Sequence, residues 1–504
     1  MKNGNVGIVA RALALAMMSS LYASASPAPA TQYTIDDHVL IRTTYGVTLS
    51  ALVVRRSGIA AKQPTAFVFT IYAEPKKDVK RMEYAADRGY VAVTAYTRGK
   101  AYSPQAIAPY EFDGRDANSV IDWIIKQPWS NGKVGMFGGS YNGFTQWAAA
   151  KWMNPALKTI VPYVAENPGN GLPMQANVFL LVNYAWIYYV TDNKFLDDVT
   201  YNDPRWRTLN DRWYASGRAY RDVDGVAGTP NPWLRKWLMH PSYDAYWQSM
   251  VPYRSDFARI NIPVLTITGY YDDGQISAMG FFKDHYAYNP RARDDLVIGP
   301  WDHFGAQRRV KDTVLRGYRI DPVAQIDTPK LTFDWLDYVM RGKPKPALVQ
   351  DRINYEVMGE NVWKHKPTLA TMGTAQRLYL TGAKISRRFY LLSPTKPTTL
   401  TALRQRVDLQ DRRTTNNDSY PDPVLGKKPN LSNGYSFLTR PFSSPEEVSG
   451  FDGTIHAIVN KRDMDIGLVL YEMMPDGKLF QLSYFTGRAS YARDMSKRTL
   501  LTPG

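Results

Sequence analysis

The chain has 504 residues, 44% hydrophobic and 21% charged, a composition typical of a globular protein with two or three domains. It contains no cysteine, which excludes a disulfide framework, a thiol nucleophile and thiolate metal sites. Lysine and arginine outnumber aspartate and glutamate by 62 to 46, but this excess is spread along the chain without a nucleic-acid-binding motif. We therefore expect a solvated basic surface and no nucleic-acid partner.

Residues 1–25 have the order of a secretory signal peptide. Lys2 and Arg11 flank the apolar run 12–18, and the small residues Ala23-Ser24-Ala25 indicate cleavage after Ala25. The apolar run is too short to cross a bilayer. We therefore expect a periplasmic or secreted bacterial protein without an integral membrane span.

Strand and helix patterns alternate between residues 31 and 165, which we interpret as the first part of an α/β core. Apolar strand-like runs occupy 39–43, 47–54, 66–72, 90–96, 134–137 and 157–164, with helical spacing at 82–88, 116–126 and 144–150. Continuous apolar strands that alternate with helices form mostly parallel sheets covered on both faces. The sequence therefore predicts such a sheet.

Two further regions follow this first part of the core. Residues 166–257 are polar and rich in large aromatic side chains, which indicates an inserted helical cap. The strand pattern returns at 262–269 and 295–299 and a helix at 331–341, so the second part of the core spans 258–345. Residues 346–504 contain short strands between turn-rich loops, including 354–358, 377–380 and 466–471, and predict an all-β module, a sandwich or jelly roll.

The run Val134-Gly135-Met136-Phe137 leads directly into Gly138-Gly139-Ser140-Tyr141-Asn142-Gly143, which indicates a nucleophile elbow. A serine becomes a good nucleophile when a sharp strand-to-helix turn exposes it beside a base and backbone N–H donors. The usual G-x-S-x-G pattern is not met, because Asn142 stands where its second glycine is expected. Ser140 is the candidate nucleophile.

The partners of such a serine follow it in the order acid, then histidine, at the carboxyl ends of sheet strands. Of the six histidines only His303 comes just after a predicted sheet strand, so His303 is the candidate base. The strand before it ends at Asp272-Asp273. Asp272 comes first and is favoured as the acid, although the spacing leaves Asp273 open. The N–H of Tyr141 is one oxyanion donor, and the loop after the strand that ends near Tyr72 supplies a second.

These motifs resemble the CocE/NonD-type serine hydrolases, which include cocaine esterase, α-amino acid ester hydrolases, glutaryl acylases and X-Pro dipeptidyl-peptidases. The matching segments are 138–143 around Ser140, 269–272, 299–303, 97–99, 240–247 and 355–363. The resemblance implies an α/β-hydrolase core with an inserted helical cap and a C-terminal jelly roll, working without a metal or a cofactor. It also implies that the Tyr72 hydroxyl completes the oxyanion hole with the Tyr141 N–H.

Two departures from the family pattern qualify this resemblance. α-Amino acid ester hydrolases carry further carboxylates after the triad aspartate and in the early cap, whereas here Asp273 alone follows Asp272 and the segment 171–177 has no acid. A paired-carboxylate site for an ammonium group is therefore not expected. Residues 498–504 resemble a segment from inside the family's jelly roll, so we expect an incomplete β-module.

The leading hypothesis is an exported serine hydrolase that cleaves small-molecule carboxylic esters or amides through a Ser140–His303–Asp272 triad and an acyl-enzyme. An X-Pro dipeptidyl-peptidase-like serine peptidase is the nearer alternative, but it needs an acidic group for the peptide N-terminus. A catalytically inactive jelly-roll protein that binds carbohydrate is the more distant one. A homo-oligomer is compatible with the sequence, and the sequence leaves the natural substrate open.

Overall fold

A computed structural model of the protein describes residues 32–310, 313–413, 423–426 and 434–504. The expected signal peptide, residues 1–25, lies outside the described residues. Within the described ranges, no helix combines the length and the apolar character that a membrane crossing requires.

The strands and helices are numbered along the chain. The strands are β1 (Tyr33–Arg42), β2 (Thr48–Arg56), β3 (Gln63–Thr70), β4 (Val91–Tyr96), β5 (Ser130–Gly139), β6 (Leu157–Tyr163), β7 (Met174–Gln175), β8 (Val178–Phe179), β9 (Pro263–Tyr271), β10 (Arg293–Asp302), β11 (Val314–Leu315), β12 (Tyr318–Arg319), β13 (Ile353–Val357), β14 (Val362–Lys366), β15 (Tyr379–Lys384), β16 (Phe389–Ser393), β17 (Leu425–Gly426), β18 (Ser436–Leu438), β19 (Asp465–Met473) and β20 (Leu479–Arg488). The helices are α1 (Pro75–Asp87), α2 (Asp113–Ile124), α3 (Tyr141–Ala150), α4 (Asn183–Thr191), α5 (Asp198–Tyr201), α6 (Arg205–Ser216), α7 (Val223–Ala227), α8 (Pro232–Leu238), α9 (Ala245–Gln248), α10 (Gln275–Tyr288) and α11 (Thr328–Arg341).

A ten-stranded mixed sheet forms the centre of the molecule, in the order β1-β2-β4-β3-β5-β6-β9-β10-β13-β14. The six pairings from β4 through β13 are parallel, and antiparallel pairs close both ends. Parallel strands place all their carboxyl ends at one edge of the sheet. Residues that follow β3, β5, β6, β9 and β10 therefore meet at that edge.

Helices cover both faces of this sheet, as the apolar runs predicted. Phe67 and Phe69 of β3 pack into one buried cluster with residues of α2, α3 and α10, whereas Ala66 and Val68 of the same strand belong to a second cluster with α1 and α11. Successive side chains of a strand point to opposite faces, so a strand buried on both sides reads as one continuous apolar run. The predicted α/β fold is confirmed.

The segment between β6 and β9 contains the short β7–β8 hairpin and the helices α4 to α9. Its large aromatic residues form much of its interior. Trp237 and Trp247 are fully buried, and Trp186 stacks on Trp237 with ring centroids 6.2 Å apart. The aromatic-rich sequence of this region is thus explained first by packing.

One strand differs in its placement from the sequence interpretation. Residues 354–358 were expected to open the C-terminal β-module, but β13 pairs in parallel with β10, with Leu296 opposite Ile353. Ile353 and Tyr355 are buried against Phe282 and Ile298, and this burial draws the strand into the central sheet. The boundary expected at residues 345/346 therefore does not separate the two regions.

The described residues after β14 form two three-stranded sheets, in the orders β15-β16-β18 and β17-β20-β19. Several apolar side chains of the second sheet stay exposed, among them Val469 and Met473 on β19 and Phe485 on β20. These sheets confirm that the C-terminal region is a β region. Its assignment as an incomplete jelly roll stays a prediction.

Candidate active site

Ser140 stands between the end of β5 and the start of α3 with a strained backbone. Its φ and ψ are 61° and −124°, in a region that residues with a side chain rarely adopt. The Ser140 N–H donates to the Tyr163 carbonyl on β6 at 3.0 Å, and the Ser140 carbonyl accepts from the Phe144 N–H at 3.0 Å. These bonds hold the turn in the sharp shape of a nucleophile elbow.

The glycine positions explain why the elbow departs from the usual pattern. A Cβ on Gly143 would lie 2.7 Å from the Cα of Ala165, which follows β6, so a side chain is excluded there. Asn142 does not make this contact and lies against Gly138. A Cβ added to Gly138 would lie 2.7 Å from the Asn142 Cβ. The close contact with β6 therefore falls one residue later than in G-x-S-x-G.

His303 and Asp272 form a hydrogen-bonded pair at the ends of β10 and β9. The His303 Nδ1 lies 2.8 Å from the Asp272 Oδ1. Asp272 is buried, and it also accepts hydrogen bonds from the Thr268 hydroxyl at 2.8 Å and from the Gly274 N–H at 2.9 Å. A carboxylate held in this way fixes the imidazole orientation and stabilises an imidazolium.

The acidic surroundings of His303 set its proton affinity. Burial alone would lower the pKa of His303, but the hydrogen bond to Asp272 and the charges of Asp272, Glu166 and Asp273 outweigh it and raise the pKa to about 9. The resting imidazole therefore holds a proton at neutral pH. An imidazole can serve as a general base only after it has lost this proton.

The two adjacent aspartates occupy different positions. Only Asp272 is hydrogen bonded to His303, whereas the side chain of Asp273 is exposed at the mouth of the site. Partial desolvation in this mouth and the neighbouring charge of Asp272 raise the pKa of Asp273 to about 6. Of the two candidates that the spacing left open, the geometry therefore favours Asp272 as the partner of the histidine.

The Ser140 hydroxyl lies in the same cavity as His303. The Tyr72 hydroxyl and the Glu166 carboxyl lie close to it: burial raises the pKa of both groups, and the Ser140 side chain partly offsets that rise. Among the described residues, no hydrogen bond joins the side chains of Ser140 and His303. Such catalytic contacts often tighten only when substrate binds.

Tyr141 presents its backbone N–H directly after Ser140 in the turn. It is the first residue of α3, and the first four amides of a helix have no acceptor within the helix. The Tyr141 side chain is held in place because its hydroxyl donates to the Asp113 Oδ2 at 2.8 Å and accepts from the Tyr110 N–H at 2.9 Å. The N–H is thus a pre-oriented donor.

Tyr72 lies two residues after the end of β3, and its ring approaches that of Tyr141 with centroids 6.2 Å apart. Burial raises the pKa of the Tyr72 hydroxyl well above its usual value, so the group stays a neutral proton donor. It accepts a hydrogen bond from the Trp186 indole N–H at 3.0 Å. The rings of the two tyrosines that the family resemblance singled out therefore lie next to each other.

The sequence interpretation missed Glu166. Glu166 comes three residues after β6, is 2% exposed, and its N–H donates to the Ser140 carbonyl at 3.3 Å. Within the described residues its Oε2 has no hydrogen-bonding partner, and burial, followed by the charges of Asp272 and Asp273, raises the pKa of Glu166 to about 8. Its place just past the end of a buried parallel strand is a signal that could have identified it.

Glu166 changes one expectation about the site. The sequence suggested at most one carboxylate besides the triad aspartate, yet both Glu166 and Asp273 act on His303. The two carboxylates are more than a hundred residues apart in sequence, and only the sheet topology brings them together.

Among the described residues no group of three or more His, Cys, Asp or Glu side chains could hold a metal ion.

The fold and this site define the protein as an α/β-hydrolase with a serine at the sharp turn between β5 and α3. Comparison with known protein families refines this class. The chain belongs to the X-Pro dipeptidyl-peptidase family (S15 family), whose profile matches residues 39–305. It is therefore a serine hydrolase, and the predicted resemblance to CocE/NonD-type enzymes is confirmed.

The chain is also similar to individual proteins along most of its length. It is 26% identical over 472 residues to cocaine esterase from Rhodococcus sp. (strain MB1 Bresler), which covers 86% of this chain and 79% of that protein. Its fold is similar to that of an α-amino acid ester hydrolase, with a TM-score of 0.67, 21% identity, and coverage of 97% of this chain and 87% of the other. It is also similar to an aminopeptidase from a marine sediment Thaumarchaeota archaeon, with a TM-score of 0.68, 19% identity and coverage of 95% and 87%.

Proposed function

We propose that this protein hydrolyses carboxylic esters or amides of small molecules through an acyl-enzyme on Ser140. One observation carries the proposal. A serine at a strained elbow, with φ of 61°, shares its cavity with a histidine whose Nδ1 lies 2.8 Å from a buried aspartate. This combination supplies a nucleophile, a base and an orienting acid.

The reaction follows from these positions. Neutral His303 accepts the hydroxyl proton of Ser140 while the serine oxygen attacks the substrate carbonyl, and Asp272 stabilises the imidazolium that forms. The Tyr141 N–H and the Tyr72 O–H stabilise the negative charge on the tetrahedral oxygen. His303 then protonates the leaving alcohol or amine. In the second half, His303 activates a water that releases the acid and frees Ser140.

The walls of the cavity favour substrates with an apolar group. Tyr72, Trp186 and Tyr189 line the cavity that also holds Ser140, together with Leu172 and Met279. The protein named cocaine esterase, to which the chain is similar, acts on an ester by its name. We propose an ester with an apolar acyl or alcohol part as the substrate class.

We also propose that the protein is exported, because residues 1–25 have the order of a signal peptide.

Glu166 and Asp273 favour a second candidate, hydrolysis of substrates with a free amino group, as in X-Pro dipeptides. An ammonium group needs acidic partners, and these two carboxylates face the site near His303. The protonated state of a buried carboxyl with a pKa of about 8 weakens this candidate at neutral pH, because a neutral acid does not pair with a cation.

A substrate panel tests both candidates. Purified enzyme and the Ser140→Ala variant are assayed with p-nitrophenyl acetate and butyrate, an α-amino acid p-nitrophenyl ester, glutaryl-p-nitroanilide and Ala-Pro-p-nitroanilide. We expect the simple esters to give the highest kcat/KM and the variant to lose hydrolysis of all five. Faster cleavage of Ala-Pro-p-nitroanilide than of the simple esters would establish the peptidase instead. Full activity of Ser140→Ala would refute both.

A further inference from the structure

Trp186 on the cap helix α4 makes a specific polar contact with the active site. Its indole N–H donates to the Tyr72 hydroxyl oxygen at 3.0 Å. Burial raises the pKa of Tyr72, and the Trp186 indole and then the Ser140 side chain partly offset that rise, so Ser140 also lies beside this hydroxyl. The Tyr72 oxygen therefore accepts a hydrogen bond from the cap and lies close to Ser140, which belongs to the core.

The chemistry of the two groups decides the direction of the Tyr72 proton. An indole N–H is a donor only, whereas a phenol carries one O–H donor and two acceptor lone pairs. Trp186 therefore occupies a lone pair of Tyr72 and leaves the phenol proton free to point toward Ser140. An acceptor in the place of the indole would instead take this proton away from the site.

Trp186 is held firmly enough to act as a fixed donor. Its ring stacks on Tyr110 and Trp237 with centroid distances of 5.7 Å and 6.2 Å and interplanar angles of 25° and 23°. The carboxyl end of α4 is tied to the core because the buried Lys100 ammonium donates to the Val190 carbonyl at 3.0 Å and to the Asn193 carbonyl at 2.6 Å. The ring contacts and the anchored end of α4 together hold the indole in place.

We propose that Trp186 is a positioning residue of the oxyanion hole, whose indole N–H aims the Tyr72 hydroxyl at the developing oxyanion, so that helix α4 of the cap completes a site otherwise built by the core. This inference rests on the proposed function, in which Tyr72 stabilises the tetrahedral oxygen. The hydrogen bond from Trp186 also polarises the phenol and makes it a stronger donor when the oxyanion forms. Its effect therefore falls on the chemical step and not on binding.

A double-mutant cycle on an activated ester tests the proposal. The variants are Trp186→Phe, Tyr72→Phe and the double variant, each assayed for kcat and KM with p-nitrophenyl butyrate. Loss of one hydrogen bond on the way to the transition state predicts a kcat lower by roughly 5- to 10-fold for Trp186→Phe, with KM nearly unchanged. In the Tyr72→Phe background, where no hydroxyl remains to be aimed, the same substitution should change kcat by less than about 2-fold.

Two controls separate this role from packing. Trp206→Phe removes another cap indole N–H, which donates to the Thr200 carbonyl at 2.7 Å, and should leave kcat unchanged. Replacement of Trp186 by 3-benzothienylalanine keeps the ring volume and removes only the N–H, and should reproduce the kcat of Trp186→Phe. Equal losses from Trp186→Phe in both Tyr72 backgrounds, a loss confined to KM, or an unchanged kcat in the benzothienyl variant would overturn the proposal.

The failure of the proposed function gives a different result. If Tyr72→Phe alone retains the parent kcat while Ser140→Ala is inactive, the serine mechanism stands but Tyr72 is not an oxyanion donor. The role of Trp186 is then overturned through Tyr72. If Ser140→Ala is active, the proposed function is wrong, and the role of Trp186 that rests on it is overturned as well.

Discussion

Single residues at the carboxyl ends of five parallel strands carry the chemistry proposed for this protein. Tyr72 follows β3, Ser140 follows β5, Glu166 follows β6, Asp272 follows β9 and His303 follows β10. No two of these side chains are neighbours in sequence. Their roles are separated by hydrogen bonding and burial, which single substitutions can test.

The adjacent aspartates offer a matched pair of substitutions. Asp272→Asn keeps the shape of the side chain but removes the charge that stabilises the imidazolium, so kcat should fall by roughly 10³- to 10⁴-fold. Asp273→Asn changes an exposed carboxylate without a hydrogen bond to His303 and should lower kcat by less than about tenfold. Steady-state kinetics on p-nitrophenyl butyrate measure both, and the reverse order of effects would assign the triad to Asp273.

The proton affinity of His303 predicts the pH dependence of hydrolysis. Because its pKa is raised to about 9, the free base is scarce at neutral pH, and kcat/KM should rise with pH through about 9. The groups that act on His303 are Asp272, Glu166 and Asp273, and Glu166 also interacts with Ser140.

Glu166→Gln should displace this pH profile. The amide removes one negative charge that favours the imidazolium, so the midpoint of kcat/KM should move to lower pH by about half a unit to one unit. Glu83→Gln, on α1 and paired with Lys80, is the control and should leave the midpoint in place. A midpoint that moves to higher pH in Glu166→Gln would contradict the electrostatic role of Glu166.

At the scale of elements, the elbow depends on how closely α3 and the end of β6 approach each other. Gly143→Ala would place a Cβ 2.7 Å from backbone and side-chain atoms of Ala165, and such overpacking costs about 1–3 kcal/mol. We expect a lower free energy of unfolding in urea and a reduced kcat, because the turn at Ser140 must shift. Gly373→Ala is the control, since nothing lies within 4 Å of its Cβ, and equal effects of the two substitutions would refute this account.

The same elements show what sequence reasoning could and could not predict. The strands were predictable because burial on both faces makes each of them a continuous apolar run. The elbow was predictable because a side chain at its glycine positions would clash with neighbouring atoms. The position of His303 followed from its place after a strand. Glu166 and the pairing of β13 with β10 were missed, because both depend on which strands become neighbours, and a linear pattern does not contain that order.

Across the whole molecule, buried carboxyl groups couple stability to pH. Burial raises the pKa of Asp113, Glu166 and Glu356 to about 8 each, well above their ordinary values of 3.8 or 4.5. The folded state therefore binds protons more tightly than the unfolded state between these values. His303, raised from 6.5 to about 9, acts in the same direction.

Tighter proton binding by the folded state predicts that the protein is less stable at alkaline pH. The contribution of these groups to the free energy of unfolding is complete below about pH 4.5 and is lost as pH rises through about 8 to 9. The melting temperature should therefore be several degrees lower at pH 9 than at pH 6. Glu356→Gln tests whether buried carboxyl groups cause this pH dependence of stability. Glu356 is a buried residue of β13 outside the catalytic site, and the glutamine amide that replaces it does not titrate. The variant should lose less stability than the parent over this range, and an equal or steeper loss would contradict the assignment.

Intact-protein mass spectrometry after treatment with a fluorophosphonate tests the proposal that Ser140 is the nucleophile and forms a covalent acyl-enzyme. We expect one phosphonyl adduct on the folded parent protein, located by peptide mapping on the segment that contains Ser140. We expect no adduct on Ser140→Ala and simultaneous loss of ester hydrolysis. An adduct on another residue, or ester hydrolysis that survives in Ser140→Ala, would contradict it.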